Sequence, residues 1–88
     1  VHEPVRLEGE IDAANAAAVE RRLLAYAERA DGEVVIDCSG LEFLDSTGLR
    51  ALVYVAQRAE HRTVLVGLKP AYRRLLELTG LASVFELR

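Results

Sequence analysis

Hydrophobic and polar positions change their period several times along these 88 residues. "VRLE", Val5–Glu8, alternates at period two, the pattern of a half-buried strand. Pro4 has no N–H to give to a ladder, which suits the start of an edge strand. After Gly9, in "EIDAANAAAVERRLLAYAERADG", Ala16, Val19, Leu23, Ala27 and Ala30 recur at three- and four-residue steps and predict one apolar helical stripe. Asp12 is placed to cap that helix or sit in its first turn, and Gly32 to end it. "EVVIDCSG" is β-branched and predicts a buried strand broken at Ser39–Gly40, with "LEFLDS" following as a loop. From Ser46 or Thr47 onward, Leu49, Leu52, Val53, Ala56 and Ala59 fall on one face of a second helix. "TVLVGL" predicts a third buried strand. Pro70 fits the first turn of a third helix, "AYRRLLELTG", which turns Leu75, Leu76 and Leu78 inward and stops at Gly80. The tail "LASVFELR" adds a last strand through Val84, Phe85 and Leu87.

The predicted order is β-α-β-α-β-α-β. Strands alternating with helices imply parallel pairing through right-handed crossovers. The expected fold is a small α/β domain: a single-layer mixed, mostly parallel sheet with helices packed on it, one domain over 1–88.

Composition narrows the class. The chain is 51% hydrophobic, too apolar for disorder, yet it has no run near the roughly 20 residues that cross a bilayer. With 11 basic and 14 acidic side chains the net charge is −3, which offers nucleic acid no footprint. Arg21–Arg22 and Arg73–Arg74 read as solvated helix faces. Cys38 is the only cysteine, so no disulfide forms within the chain, and it reads as a small buried apolar residue. That usage fits the cytoplasm. "VHEPVRLEGE" is charged and lacks the apolar stretch of a signal peptide, and the leading valine is expected to reflect processing, trimming or excision from a longer chain.

Chemistry is sparse. Neither G-x-x-x-x-G-K-[ST] nor G-x-G-x-x-G occurs, so no nucleotide cofactor is expected. His2 and His61 each lack a second plausible ligand beside them, so no metal is expected. A nucleophilic serine needs a base within reach, and the sequence around Ser46 is not G-x-S-x-G. Nothing here points to an enzyme.

One residue stands out. In "FLDSTGLRALVYV", Ser46 lies where the second helix begins, between Asp45 and Thr47 and just before Gly48. It fits a helix cap, although Asp45 could cap equally well. Gly48 lowers helix propensity by about 1 kcal/mol relative to Ala, which makes sense if something approaches the backbone closely. A phosphate on Ser46 is also tolerable, because a helix N-terminus presents unpaired N–H groups and the positive end of the dipole.

"VVIDCSGLEFLDSTGLRALV", with "RLEGEIDAANA" before it and "LLELTGLASVFEL" after it, resembles STAS domains, specifically the bacterial anti-sigma factor antagonists. The resemblance implies that Ser46 is the phosphoacceptor of an anti-sigma factor that is itself a serine kinase. It implies that the unphosphorylated form binds this kinase and frees the sigma factor, and that a PP2C-type phosphatase reverses the modification. By the same resemblance Asp12, Asp45, Thr47 and Gly48 contribute to the partner surface. The alternative within the family is a docking subunit of a transporter or signalling assembly, with Ser46 unmodified. The family's further strand ahead of Val5 is not accommodated by the four residues preceding it, so that strand is either trimmed away, as the leading valine favours, or lacking in this member, and an exposed edge could pair with another copy.

Overall fold

The computed structural model describes residues 3–88; His2 lies outside the described residues. The elements follow the order β1 (Val5–Ile11), α1 (Ala16–Arg29), β2 (Val34–Leu44), α2 (Ser46–Arg58), β3 (Thr63–Val66), α3 (Pro70–Thr79), a 3-10 turn (Leu81–Val84) and β4 (Glu86–Leu87). The strands lie side by side in the order β1-β2-β3-β4, and every neighbouring pair is parallel. The small α/β fold with a mostly parallel sheet is as expected, and among the described residues the parallel pairing extends to every strand. Each connection contains a helix, and a helical crossover joins parallel strands where a tight hairpin would join antiparallel ones.

α1 and α2 pack along each other. Leu23 of α1 and Leu52 and Val55 of α2 meet Leu7, Ile36 and Leu65 of the strands in the core. A buried Leu or Val contributes roughly 1.5–3 kcal/mol, so this cluster dominates the stability of the domain. The stripe expected on α1 is present, with Ala16 and Leu23 buried and Val19, Ala27 and Ala30 packed at its edge. On α2 the face is rotated from the expected one. Gly48, Ala51, Leu52 and Val55 are buried, whereas Leu49, Val53 and Ala56 are partly exposed.

β1 runs three residues further than its alternation indicated, and β2 continues to Leu44 where a loop was expected. The cause is a pair of bulges. Arg6 pairs with Asp37 but Glu8 with Gly40, and Gly9 pairs with Leu41 but Glu10 with Phe43, so β2 twice carries one residue more than β1. Each extra residue shifts the alternation by one. Cys38, Leu41 and Leu44 therefore all face the core at three-residue spacing, a spacing that does not look like a strand.

α3 departs from expectation as well. Only Leu76 is buried, while Leu75 is 41% and Leu78 72% exposed. Pro70 does open the helix and Gly80, at φ 78°, does close it. In the tail, Leu81–Val84 wind into the 3-10 turn, Phe85 is buried, and only Glu86–Leu87 pair as a strand.

Candidate functional site

The far ends of β1 and β2 create the site. Ile11 and Leu44 are the last paired residues, and the Ile11 carbonyl accepts the Asp45 N–H at 3.2 Å. The turn that starts with Asp12 and the start of α2 are thus held side by side at one end of the sheet.

Asp45, not Ser46, caps α2. Its Oδ1 accepts the Gly48 N–H at 2.9 Å, and its backbone is extended, as a capping residue requires. Ser46 is the first helical residue and is exposed, with Thr47 exposed beside it. The capping role considered for Ser46 is therefore corrected. A cap must precede the first helical residue, and Asp45 holds that place with a carboxylate, the stronger acceptor.

Gly48 is buried, and the close approach it permits comes from within the chain. A Cβ there would lie 2.7 Å from Leu44 Cδ1, 2.8 Å from Ile11 Cγ2 and 2.9 Å from the Ile11 carbonyl oxygen. The first turn of α2 rests directly on the end of β1, and only glycine leaves room for it.

Asp12 does not cap α1, which begins at Ala16. Its Oδ1 accepts the Ala14 N–H at 2.9 Å, and its carbonyl accepts the N–H groups of Asn15 and Ala16. Asn15 braces this turn: its Oδ1 accepts the Asp12 N–H at 3.0 Å, and its Nδ2 donates to the Glu10 carbonyl at 2.8 Å. Sequence reasoning missed Asn15, although a lone Asn directly before an alanine-rich run was the available signal.

A mostly apolar hollow of about 250 Å³ opens beside Ser46, lined also by Leu49, Arg50, Val53 and Leu81. Leu81 arrives from beyond α3, and no local pattern could have linked it to Ser46. Phe43, 47% exposed, stands three residues before Ser46 on the outer end of β2.

His61 is exposed and lies just ahead of β3, whose first residue Thr63 pairs with Val34 at the start of β2; Ser46 follows the opposite end of that strand. Cys38 is fully buried, and burial, assisted by the Asp37 carboxylate, pushes its thiol up to about 12. The Ser39 backbone N–H, then the Ser39 hydroxyl and Arg6, hold the Asp37 carboxyl below the usual carboxylate range. Among the described residues no three His, Cys, Asp or Glu side chains converge in a way that could hold a metal ion. No helix among them is long and apolar enough to cross a membrane.

Comparison with known proteins identifies relatives of this chain. The chain is 34% identical over 82 residues to BtrV of Bordetella bronchiseptica, named as a candidate anti-sigma factor antagonist, covering 90% of this chain and 71% of that protein. It is 33% identical over 90 residues to the anti-sigma-B factor antagonist of Listeria monocytogenes, covering 99% of this chain and 79% of the relative. The crystal structure of an anti-sigma factor antagonist from Mycobacterium paratuberculosis matches with TM-score 0.77 and 34% identity, over 99% of this chain and 79% of the other. SpoIIAA in its unphosphorylated form shares the fold, at TM-score 0.72 and 20% identity, over 94% of this chain and 74% of the other. The STAS domain family model matches residues 3–88, and with the parallel sheet and the Asp45–Gly48 turn in place, this chain belongs to the STAS domain family.

Proposed function

We propose that this domain is an anti-sigma factor antagonist that works in the cytoplasm by partner switching, with Ser46 as its phosphoacceptor. The observation that carries the reading is the exposed Ser46 hydroxyl at the first position of α2, at the mouth of an apolar hollow, in a chain whose relatives bear that name. Its partner is an anti-sigma factor serine kinase, which docks over Ser46, Thr47 and the Asp12 turn. The contribution of Gly48 is indirect, through the seat it gives α2. A PP2C-type phosphatase resets the modified form.

The chemistry is one of surface charge. In this reading Ser46 is the substrate of the kinase, which supplies the base and the nucleotide, while His61 lies ahead of β3, toward the opposite end of β2 from Ser46. Phosphorylation adds about −1.5 to −2 charges at neutral pH. The helix N-terminus accepts that charge without disturbing the core. Asp45 stands next to it, so the docking face becomes strongly acidic and a partner fitted to the neutral serine is repelled.

The test is a paired pull-down with Ser46→Ala and Ser46→Glu baits, read by mass spectrometry. The alanine bait is expected to retain an ATP-binding serine kinase and the glutamate bait to lose it. Equal retention of one partner by both baits ends the switch reading. If that shared partner is a transporter or scaffold protein, the domain is a docking subunit instead.

A further inference from the structure

β2 is longer than its neighbour on one side. β3 pairs with β2 only over Val34–Asp37, so the outer stretch that leads to Ser46 runs on without a β3 partner. Two side chains from the start of α3 act on that stretch. Lys69 Nζ donates to the Leu41 carbonyl at 3.0 Å, and the Leu44 N–H donates to the Tyr72 hydroxyl at 3.0 Å. Tyr72 is itself packed against the core. Its hydroxyl therefore sits on a rigid base and reaches the backbone two residues before Ser46. The next N–H along, that of Asp45, is taken by the Ile11 carbonyl, and the Asp45 side chain then caps α2 at Gly48.

We propose that Tyr72 is a positioning residue for Ser46. Its hydroxyl stands in for the missing strand neighbour at Leu44, and so fixes the turn from which the serine is presented. A strand end paired on one side only opens more readily, because the backbone groups on its free side are not held by a ladder. With Tyr72 on one side and Ile11 on the other, Leu44 and Asp45 are tied to two different elements, and the serine hydroxyl is offered in one geometry. α3 is thereby coupled to the acceptor site across a sequence separation that no local pattern reveals. The inference rests on the reading of Ser46 as a phosphoacceptor, and its test is arranged so that the two can fail separately.

The experiment compares the full chain with Tyr72→Phe, which keeps the ring and removes only the hydroxyl. Tyr26→Phe is the control, because it removes a hydroxyl bonded to the Glu3 carbonyl, ahead of the opposite end of β1. Amide hydrogen exchange is read at Leu44, Asp45 and Gly48, with Val64 and Leu65 as core references. Phosphate incorporation at Ser46 is followed with the kinase retained by the Ser46→Ala bait. Tyr72→Phe is expected to speed exchange at Leu44 and Asp45 by about five-fold, the scale of one lost hydrogen bond, with the references unchanged and phosphorylation slowed. Tyr26→Phe is expected to leave Leu44, Asp45 and Ser46 phosphorylation as they were. A rise spread evenly over the references, or none at Leu44, overturns the proposal, as does unaltered phosphorylation when exchange has risen. If the unmutated chain is not phosphorylated at all, the phosphoacceptor reading falls and the exchange data alone decide whether Tyr72 holds the turn.

Discussion

Ser46 and Asp45 are neighbours with divided duties. The carboxylate of Asp45 satisfies the Gly48 N–H, so the stability of the start of α2 does not pass through the serine. This separation frees the hydroxyl for modification, because altering it removes no cap. Asp45→Ala is expected to cost about 1 kcal/mol of stability, the usual loss for a capping residue. Ser46→Ala should stay within about 0.5 kcal/mol, as exposed substitutions do. Urea unfolding of the two variants checks both values, and a larger loss at Ser46 would return the cap to it. Gly48→Ala is the harshest of the three changes, at about 1–3 kcal/mol, since its Cβ would meet the Ile11 carbonyl at 2.9 Å and a backbone atom cannot swing aside.

At the scale of elements, α3 shows how little an apolar run says about burial when a helix is short. Leu75, Leu76 and Leu78 are equivalent in composition, yet a helix of ten residues seated along one line buries one of them. Leu76 and Tyr72, four residues apart, share the inward side, and that choice also brings the Tyr72 hydroxyl to β2. Leu76→Ala is expected to lower stability by about 2–5 kcal/mol, and Leu78→Ala by less than about 0.5 kcal/mol. Thermal melts of the pair would settle the orientation, and comparable losses would contradict it. β2 carries the complementary lesson. Its bulges turn a two-residue period into a three-residue one, and that is why the stretch from Ser39 to Leu44 did not read as strand.

For the molecule as a whole, the middle of the sheet is closed to solvent. Cys38 is fully buried, and its thiol is pushed up to about 12, mainly by that burial. Alkylation needs the thiolate and access to it, and the folded state withholds both. Iodoacetamide at pH 8 is therefore expected to label Cys38 at least about a thousand-fold more slowly than a free peptide thiol, and only through unfolding. Labelling should accelerate along the urea transition. Rapid labelling without denaturant would mean that β2 opens locally.

The number and order of the strands and α-helices were legible in the chain because each is a local matter of period, β-branching, alanine content and punctuation by proline and glycine, whereas the 3-10 turn at Leu81–Val84 was not. The Asp45–Gly48 motif and the prominence of Ser46 were legible for the same reason. What only the tertiary structure decided depends on residues distant in sequence. Which of Asp45 and Ser46 serves as the cap follows from how α2 is seated on Ile11. The reach of β2 to Leu44 follows from its bulged register with β1. The hollow beside Ser46 needs Leu81, and the hold on Leu44 needs Tyr72, 28 residues away in the sequence. Period and propensity act over a few residues, whereas these contacts exist only once the crossovers have closed the sheet.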